Sequence, residues 1–263
     1  MRVIKKILKT ILPSEVLRFI VDIYLNILPY RLVGHFLNSN NRNIKIEKFK
    51  IKFPKSSNEE MGKYFFNVYE NNERSLIRKH LDSNSNVLEL GGCVGVVSNV
   101  INDILNNKSN HIVLEANPNL IPFLIHNKKI NKAQFKIENL ILSKKKESWF
   151  YISKNILSSS SYKDNPFLNQ KKVKCLTYEQ IQNKHSISFD TLIMDIEGAE
   201  YEVLKSINYK KIKLIIVEFH PNLIGDYKVR ELNHVLEKNS FELKERLANV
   251  DVWKKSINKK NLK

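Results

Sequence analysis

Cysteine, glycine, proline and arginine are all scarce in this chain, and each shortage excludes something. Two cysteines in 263 residues, Cys93 and Cys175, cannot form a disulfide framework or a four-cysteine zinc site. A reducing, cytoplasmic setting is the default for such a chain. Seven glycines and seven prolines are too few for a collagen-like or low-complexity protein. No run of roughly 18 uncharged apolar residues occurs, so no bilayer-spanning helix is expected. A signal peptide is not expected either, for want of an uninterrupted apolar stretch and a small-residue cleavage site. Only eight of the 44 basic residues are arginine. The net charge of +17 is therefore mostly lysine, in a composition rich in Lys, Asn and Ile. Arginine, the side chain that reads phosphate and guanine bidentately, is not what is enriched. A nucleic-acid partner is not expected.

What is present is enough for a core. With 42% apolar and 10% aromatic residues, the chain can build one large domain or two small ones. Residues 1–60 read as an extension and residues 61–263 as the main domain. In the extension, Ile4, Ile7, Leu8, Ile11 and Leu12 recur at helical spacing, with Arg2, Lys5, Lys6 and Lys9 elsewhere on the wheel. A second helix capped by Ser14 is expected to stop before Pro29. Glu15, Arg18 and Asp22 interrupt its apolar stripe, so it suits a membrane surface or a protein face and not a bilayer interior. Peripheral membrane contact through residues 1–30 is one expectation, and packing on the main domain the other. The stretch from Ile44 to Phe53 alternates apolar with charged residues, the period of a half-exposed strand or hairpin.

Three short apolar runs, Asn86 to Leu90, His111 to Leu114 and Thr191 to Met194, each end in polar or glycine residues. A fourth, Lys213 to Val217, ends in Glu218, Phe219 and His220. Such runs, alternating with helical stretches near 70–81 and 229–236, read as buried parallel strands of a doubly wound α/β sheet. Phe241 to Glu245 and Val250 to Lys254, separated by Ala248 and Asn249, predict a terminal antiparallel hairpin. Ser158 to Asn165, between two strand-like segments, is a candidate acceptor-facing loop or a plain solvent loop.

Three constellations carry chemistry. The first is a strand ending in Glu89 that runs through Gly91, Gly92, Cys93, Val94 and Gly95 into a helix near Val96. Glycines there let a ligand approach the backbone at a helix N-terminus. Cys93 and Val96 stand where a dinucleotide fingerprint needs glycines, so that pattern fails. An acid two residues before the first glycine suits a positively charged ligand with an amino-acid end; a plain packing turn is the competing reading. The second is Glu115, which closes the strand 26 residues after Glu89. A carboxylate at that place can accept both hydroxyls of a ribose, or it can cap the helix after Pro118. The third is Asp195, Ile196, Glu197, Gly198, Ala199, Glu200, where a strand runs into three carboxylates. Helix capping uses one of them, and a site at the carboxyl edge of the sheet uses all three.

The order ELGGCVG, LEANP, LIMDIEGAEYEVLK and IIVEFHP resembles the FkbM family of class I S-adenosylmethionine-dependent methyltransferases, over about Tyr69 to Pro221, with Asn127 and Asn131 in the helix after Glu115. Two departures stand out: Glu89 replaces the usual aspartate, and Gly92-Cys93 the usual Ala-Asn pair. The resemblance implies a Rossmann-like, mostly parallel seven-stranded sheet with helices on both faces. It implies S-adenosylmethionine as cofactor and methyl transfer to a hydroxyl of a sugar, glycan, glycolipid or other small molecule. The expected cofactor contacts are Glu89, Gly91, Gly92, Gly95, Glu115 and Asn139.

The expected catalytic residues are Asp195, Glu218 and His220, whose strand tips can converge beside the cofactor methyl. A hydroxyl must lose a proton as it attacks, so a base is needed, or a metal that lowers its pKa. Metal-free base catalysis is the favoured expectation, although these three residues could ligate a divalent cation. Two rivals remain, a noncatalytic cofactor-binding module and a nucleic-acid methyltransferase. An adenine-amino enzyme would need an Asp/Asn-Pro-Pro-aromatic turn where Asp195-Ile196-Glu197-Gly198 stands, and a cytosine-C5 enzyme a cysteine beside proline. Neither is present.

Overall fold

Three strands whose residues are buried on both faces organise the molecule: β3 (Val87–Leu90), β4 (His111–Leu114) and β9 (Thr191–Met194). A strand covered on both sides can be apolar throughout, which is why these segments read as uninterrupted hydrophobic runs. The computed structural model describes residues 28–39, 43–67, 69–153 and 167–256. The expected helices over residues 1–27 and the loop 158–165 lie outside the described residues.

In chain order the remaining elements are α1 (Leu28–Ser39), β1 (Ile44–Ile46), β2 (Phe49–Ile51), α2 (Asn58–Phe65), α3 (Asn71–His80), α4 (Val96–Ile104), α5 (Ile121–Ile130), β5 (Lys136–Glu138), β6 (Ile141–Leu142), β7 (Glu147–Ser153), β8 (Phe167–Leu176), α6 (Tyr178–His185), α7 (Glu200–Ser206), β10 (Leu214–Glu218), α8 (Pro221–Ile224), α9 (Asp226–Lys238), β11 (Phe241–Leu247) and β12 (Val250–Lys255). Seven strands form the central sheet in the order β11-β12-β10-β9-β3-β4-β5. From β10 to β5 every pairing is parallel, while β12 runs antiparallel to both β10 and β11. The expected doubly wound α/β sheet with a terminal hairpin is therefore what the chain forms.

Side chains alternate between the two faces of the sheet. Val87 joins one apolar layer with α2, α3 and α4, and Leu88 and Leu90 join the other with α6, α7 and α9. The strand order reverses between β3 and β9, since β4 and β5 lie to one side and β10 to the other. At such a reversal the crossing loops part and leave a crevice at the carboxyl ends of the strands.

Helix α1 includes Pro29, where the sequence predicted a stop; a proline is tolerated in a first helical turn because its missing N–H is not needed there. The division expected at residue 60 falls inside α2, and Ile44, Ile46, Phe49 and Ile51 of the β1–β2 hairpin share a core with Ile77, Val96 and Val100. Two asparagines one helical turn apart, Asn127 on α5 and Asn131 at its C-terminal cap, hold this hairpin. Asn127 accepts from Lys52 N at 2.9 Å and donates to Lys52 O and Val94 O; Asn131 makes the same two-way exchange with Lys50. A carboxamide carries both a donor and an acceptor, so each stands in for one residue of a missing neighbouring strand. A separate three-stranded sheet, β6-β8-β7, covers the carboxyl end near β4.

Candidate active site

The turn after β3 is built so that two strand tips can touch. Gly91 has φ +90°, and a Cβ there would lie 1.8 Å from the carbonyl oxygen of Asp195 at the tip of β9. Only glycine fits that contact. Gly92 and Gly95 serve packing: a Cβ on either would collide with Leu124, and on Gly92 also with Val113. Cys93 follows at φ 47°, and its N–H donates to Glu115 Oε2 at 2.6 Å. The other oxygen, Oε1, accepts from Asn117 N at 2.6 Å. Glu115 thus ties the glycine turn to the tip of β4 while lining the crevice. Burial pushes its carboxyl up to about 7, against the pull of these two N–H donors.

Glu89 is a correction to the expected cofactor set. Its carboxylate is buried beneath the turn, accepting from Ser98 Oγ at 2.7 Å and lying 2.7 Å from His111 Nε2. It does not line the crevice, because its side chain alternates onto the face covered by α4. Asn139 is likewise one step back: its amide donates to the carbonyls of Glu115 and Ala116 and so fixes the backbone from which Glu115 projects.

The crevice spans about 780 Å³, part of it open to solvent. Gly91, Cys93, Glu115, Asn117 and Asp195 form its polar side; Leu140, Ile141, Leu142 and Phe150, from β6 and β7, form an apolar wall. Glu70, Cys93 and Glu197 all line it in left-handed backbone conformations, at φ 52°, 47° and 47°. Such conformations cost about 1–3 kcal/mol each and persist where packing enforces them, commonly at sites. Burial pushes Glu70 up to about 8 and, with the charge of Asp195, Glu197 up to about 7.

A second cavity of about 670 Å³ adjoins the first, and Tyr69, Glu70, Asp195 and Glu197 line both. The structure brings Asp195, Glu218 and His220 together here. His220 Nδ1 lies 2.7 Å from Glu200 Oε1, and Nε2 lies 3.5 Å from Asp195 and 3.6 Å from Glu197. Burial alone would lower the imidazole pKa; the bond to Glu200 and the charges of Asp195, Glu197 and Glu200 outweigh it and raise it to about 9. His220 is therefore a cation among carboxylates. Burial and the charge of Asp195 push Glu218 up to about 7.

Sequence reasoning missed Tyr69, Glu70 and Glu73, which enter from the start of α3, and the apolar wall from β6 and β7. Glu70 and Glu73 read as ordinary first-turn acids of a helix; nothing local marks them as buried.

A sheet reversal carrying a glycine turn, an acid at the next strand tip and an acidic catalytic edge defines a class I S-adenosylmethionine-dependent methyltransferase. The methyltransferase FkbM domain matches residues 89–243, more than half of the chain, and the chain belongs to this family. Similar solved structures include a ribosomal protein L11 methylase from Lactobacillus delbrueckii subsp. bulgaricus, 9% identical, with TM-score 0.44 over 72% of this chain and 80% of that one. A Pyrococcus abyssi tRNA (uracil-54, C5)-methyltransferase in complex with S-adenosyl-L-homocysteine is 12% identical, with TM-score 0.46 over 81% of this chain and 42% of that one. A precorrin-6y C5,15-methyltransferase from Geobacter metallireducens is 11% identical, with TM-score 0.40 over 70% and 87%. No curated protein matches the sequence. The residues present fit the cofactor: a carboxylate at the strand tip, Glu115, with acceptor capacity for ribose hydroxyls, a turn at Gly91 with no room for a side chain, and acids that suit a sulfonium and an ammonium group.

Proposed function

We propose that this methyltransferase acts on a hydroxyl of a sugar, glycan or glycolipid. The observation that carries the reading is the second cavity, where Asp195, Glu218 and His220 face space continuous with the cofactor crevice through Tyr69, Glu70, Asp195 and Glu197. Carboxylates are good acceptors for several hydroxyl groups at once, and they repel phosphate. That charge supports a neutral, hydroxyl-rich acceptor over a nucleic acid. The exposed lysines of β8, Lys171, Lys172 and Lys174, lie on a different sheet from this edge.

Gly91, Glu115 and the Asn139-braced strand end would hold the cofactor, which when bound would supply a sulfonium methyl for transfer to a hydroxyl. The Asp195–Glu218–His220 edge would position that hydroxyl and take up its proton. Both nitrogens of His220 already face carboxylates, so it orients Asp195 and Glu197 and leaves proton acceptance to a carboxylate. The test is labelled S-adenosylmethionine incubated with glycan, lipid and RNA fractions and read by mass spectrometry. Label in a glycan or lipid hydroxyl is expected. On that acceptor, Asp195→Asn and His220→Ala should each lose roughly 100-fold in turnover. Label in RNA overturns the acceptor class, and both variants within about threefold of wild type overturn the residue roles.

The same reading places the protein at an anionic membrane surface through residues 1–30. No helix among the described residues is long and apolar enough to cross a membrane. Leu32 and Phe36 of α1 are exposed next in the chain to that basic, apolar segment, and the exposed Phe66 at the end of α2 packs edge-on against Tyr30. Equal partition of the full chain and of a chain starting at Asn41 onto anionic liposomes would remove the membrane contact.

A further inference from the structure

Glu73 is a buried acid that the chemistry above does not use. Its side chain is 3% exposed, it lines the second cavity, and among the described residues its carboxylate has neither a hydrogen bond nor an ion pair. A carboxylate in that position is costly unless something neutralises it. It does not stand alone: one carboxylate oxygen each from Glu73, Asp195 and Glu218 lies within 4.8 Å of the others. Oδ1 of Asp195 is also buried without a hydrogen-bond partner. Three converging acids repel one another, and the helix and two strand tips that carry them are fixed by packing, so the repulsion is not relieved by side chains swinging apart.

We propose that Glu73, Asp195 and Glu218 bind a hard divalent cation, of the magnesium or manganese kind, at the floor of the second cavity. An all-oxygen, all-carboxylate ligand set is the chemistry such ions take, and the open cavity leaves room for the waters or acceptor oxygens that complete their coordination. A second trio, Asp195, Glu197 and His220, also lies within 4.8 Å. There the imidazole is already committed, with Nδ1 on Glu200 and Nε2 facing both acids, so the repulsion is answered from within the protein. In the Glu73 set that imidazole pairs only with Asp195, and Glu73 itself forms no ion pair among the described residues. Resting on the hydroxyl-methylation reading, the ion also gains a role: it binds the acceptor oxygen and makes its proton easier to remove. That departs from the metal-free route the sequence favoured.

The experiment is a titration of the full chain, free of cofactor and acceptor, with manganese followed by electron paramagnetic resonance, and competition by magnesium. One ion per chain is expected, held at or below the order of millimolar. Glu73→Gln and, separately, Glu218→Gln should each weaken it by at least about tenfold. Calorimetry with S-adenosylhomocysteine on the same samples checks folding: both variants should bind it within about threefold of wild type. No manganese binding by wild type overturns the proposal and leaves Glu73 as a buried protonated acid. Unchanged binding by Glu73→Gln overturns it in favour of the His220 trio. Failure of wild type to bind S-adenosylhomocysteine would instead strike the cofactor reading, with the manganese result still deciding the ion site.

Discussion

Replacing Glu115 with alanine should weaken cofactor binding, by an amount that follows from the hydrogen bonds its carboxylate can accept. Each oxygen of its carboxylate already accepts one backbone N–H, from Cys93 and from Asn117, both at 2.6 Å. Each has a second lone pair for a ribose hydroxyl. A hydrogen bond to a charged acceptor contributes about 1.5–3 kcal/mol. Losing one at the low end weakens binding about tenfold, and losing both approaches 150-fold. Alanine also orphans the two N–H groups and loosens the turn, so Glu115→Gln, which keeps the shape and one acceptor, should fall between. Calorimetry with S-adenosylhomocysteine measures the loss. A 2′,3′-dideoxy analogue isolates its cause, because wild type and Glu115→Gln, which keeps the shape of the turn, should bind that analogue within about threefold of each other. The charge adds a pH dependence with a definite sign. Burial raises the carboxyl to about 7 in the empty crevice, and only its ionised form accepts both hydroxyls. Affinity carried by Glu115 is therefore full by about pH 8 and falls by up to about tenfold toward pH 6, and Glu115→Gln should flatten the slope by that share, leaving what Glu70 and Glu197 in the same crevice contribute. Equal affinities of wild type and Glu115→Ala near pH 8, or a slope in Glu115→Gln as steep as that of wild type, would refute the ribose assignment.

Two further outcomes follow from the packing. Glu89→Ala leaves His111 Nε2 and Ser98 Oγ buried without their hydrogen-bond partner, so unfolding should become about 1–3 kcal/mol easier by denaturant titration. The protein that remains folded should bind S-adenosylhomocysteine within about threefold of wild type, and a selective loss of binding would return Glu89 to the cofactor. Asn127→Ala removes three hydrogen bonds to Lys52 and Val94, two of them to the backbone of the β1–β2 hairpin. At about 1 kcal/mol each it should cost roughly 3 kcal/mol. The Lys50 and Lys52 amides should lose hydrogen-exchange protection before the central strands do; protection unchanged from wild type would show that apolar packing alone holds the hairpin.

The sequence by itself determined the parts whose signal is local. His111 to Leu114 and Thr191 to Met194 are strands at those limits, since a strand buried on both faces must be apolar throughout and stop where polar residues begin. The terminal hairpin and its Ala248-Asn249 turn were legible from alternation and a break. So were Gly91 and Glu115, because turn geometry and strand-tip position restrict which residues can stand there. Tertiary structure decided the rest. Glu89 and Glu115 each end or nearly end a strand, yet one is sealed under α4 with His111 and the other opens to the crevice. That difference is one of position along the strand: Glu89 pairs with Val113 inside the sheet, whereas Glu115 stands one residue past the end of its strand, a distinction the motif does not display. Asn127 and Asn131 matched the family pattern without revealing that they stand in for a strand, because their partners lie 75 and 81 residues away in the chain. Glu70 and Glu73 sit in a helix start that could as well have faced solvent. Only the packing of α3 against the tips of β9 and β10 gathers five acids and one histidine about a single space, where burial and mutual repulsion turn ordinary carboxylates into a site.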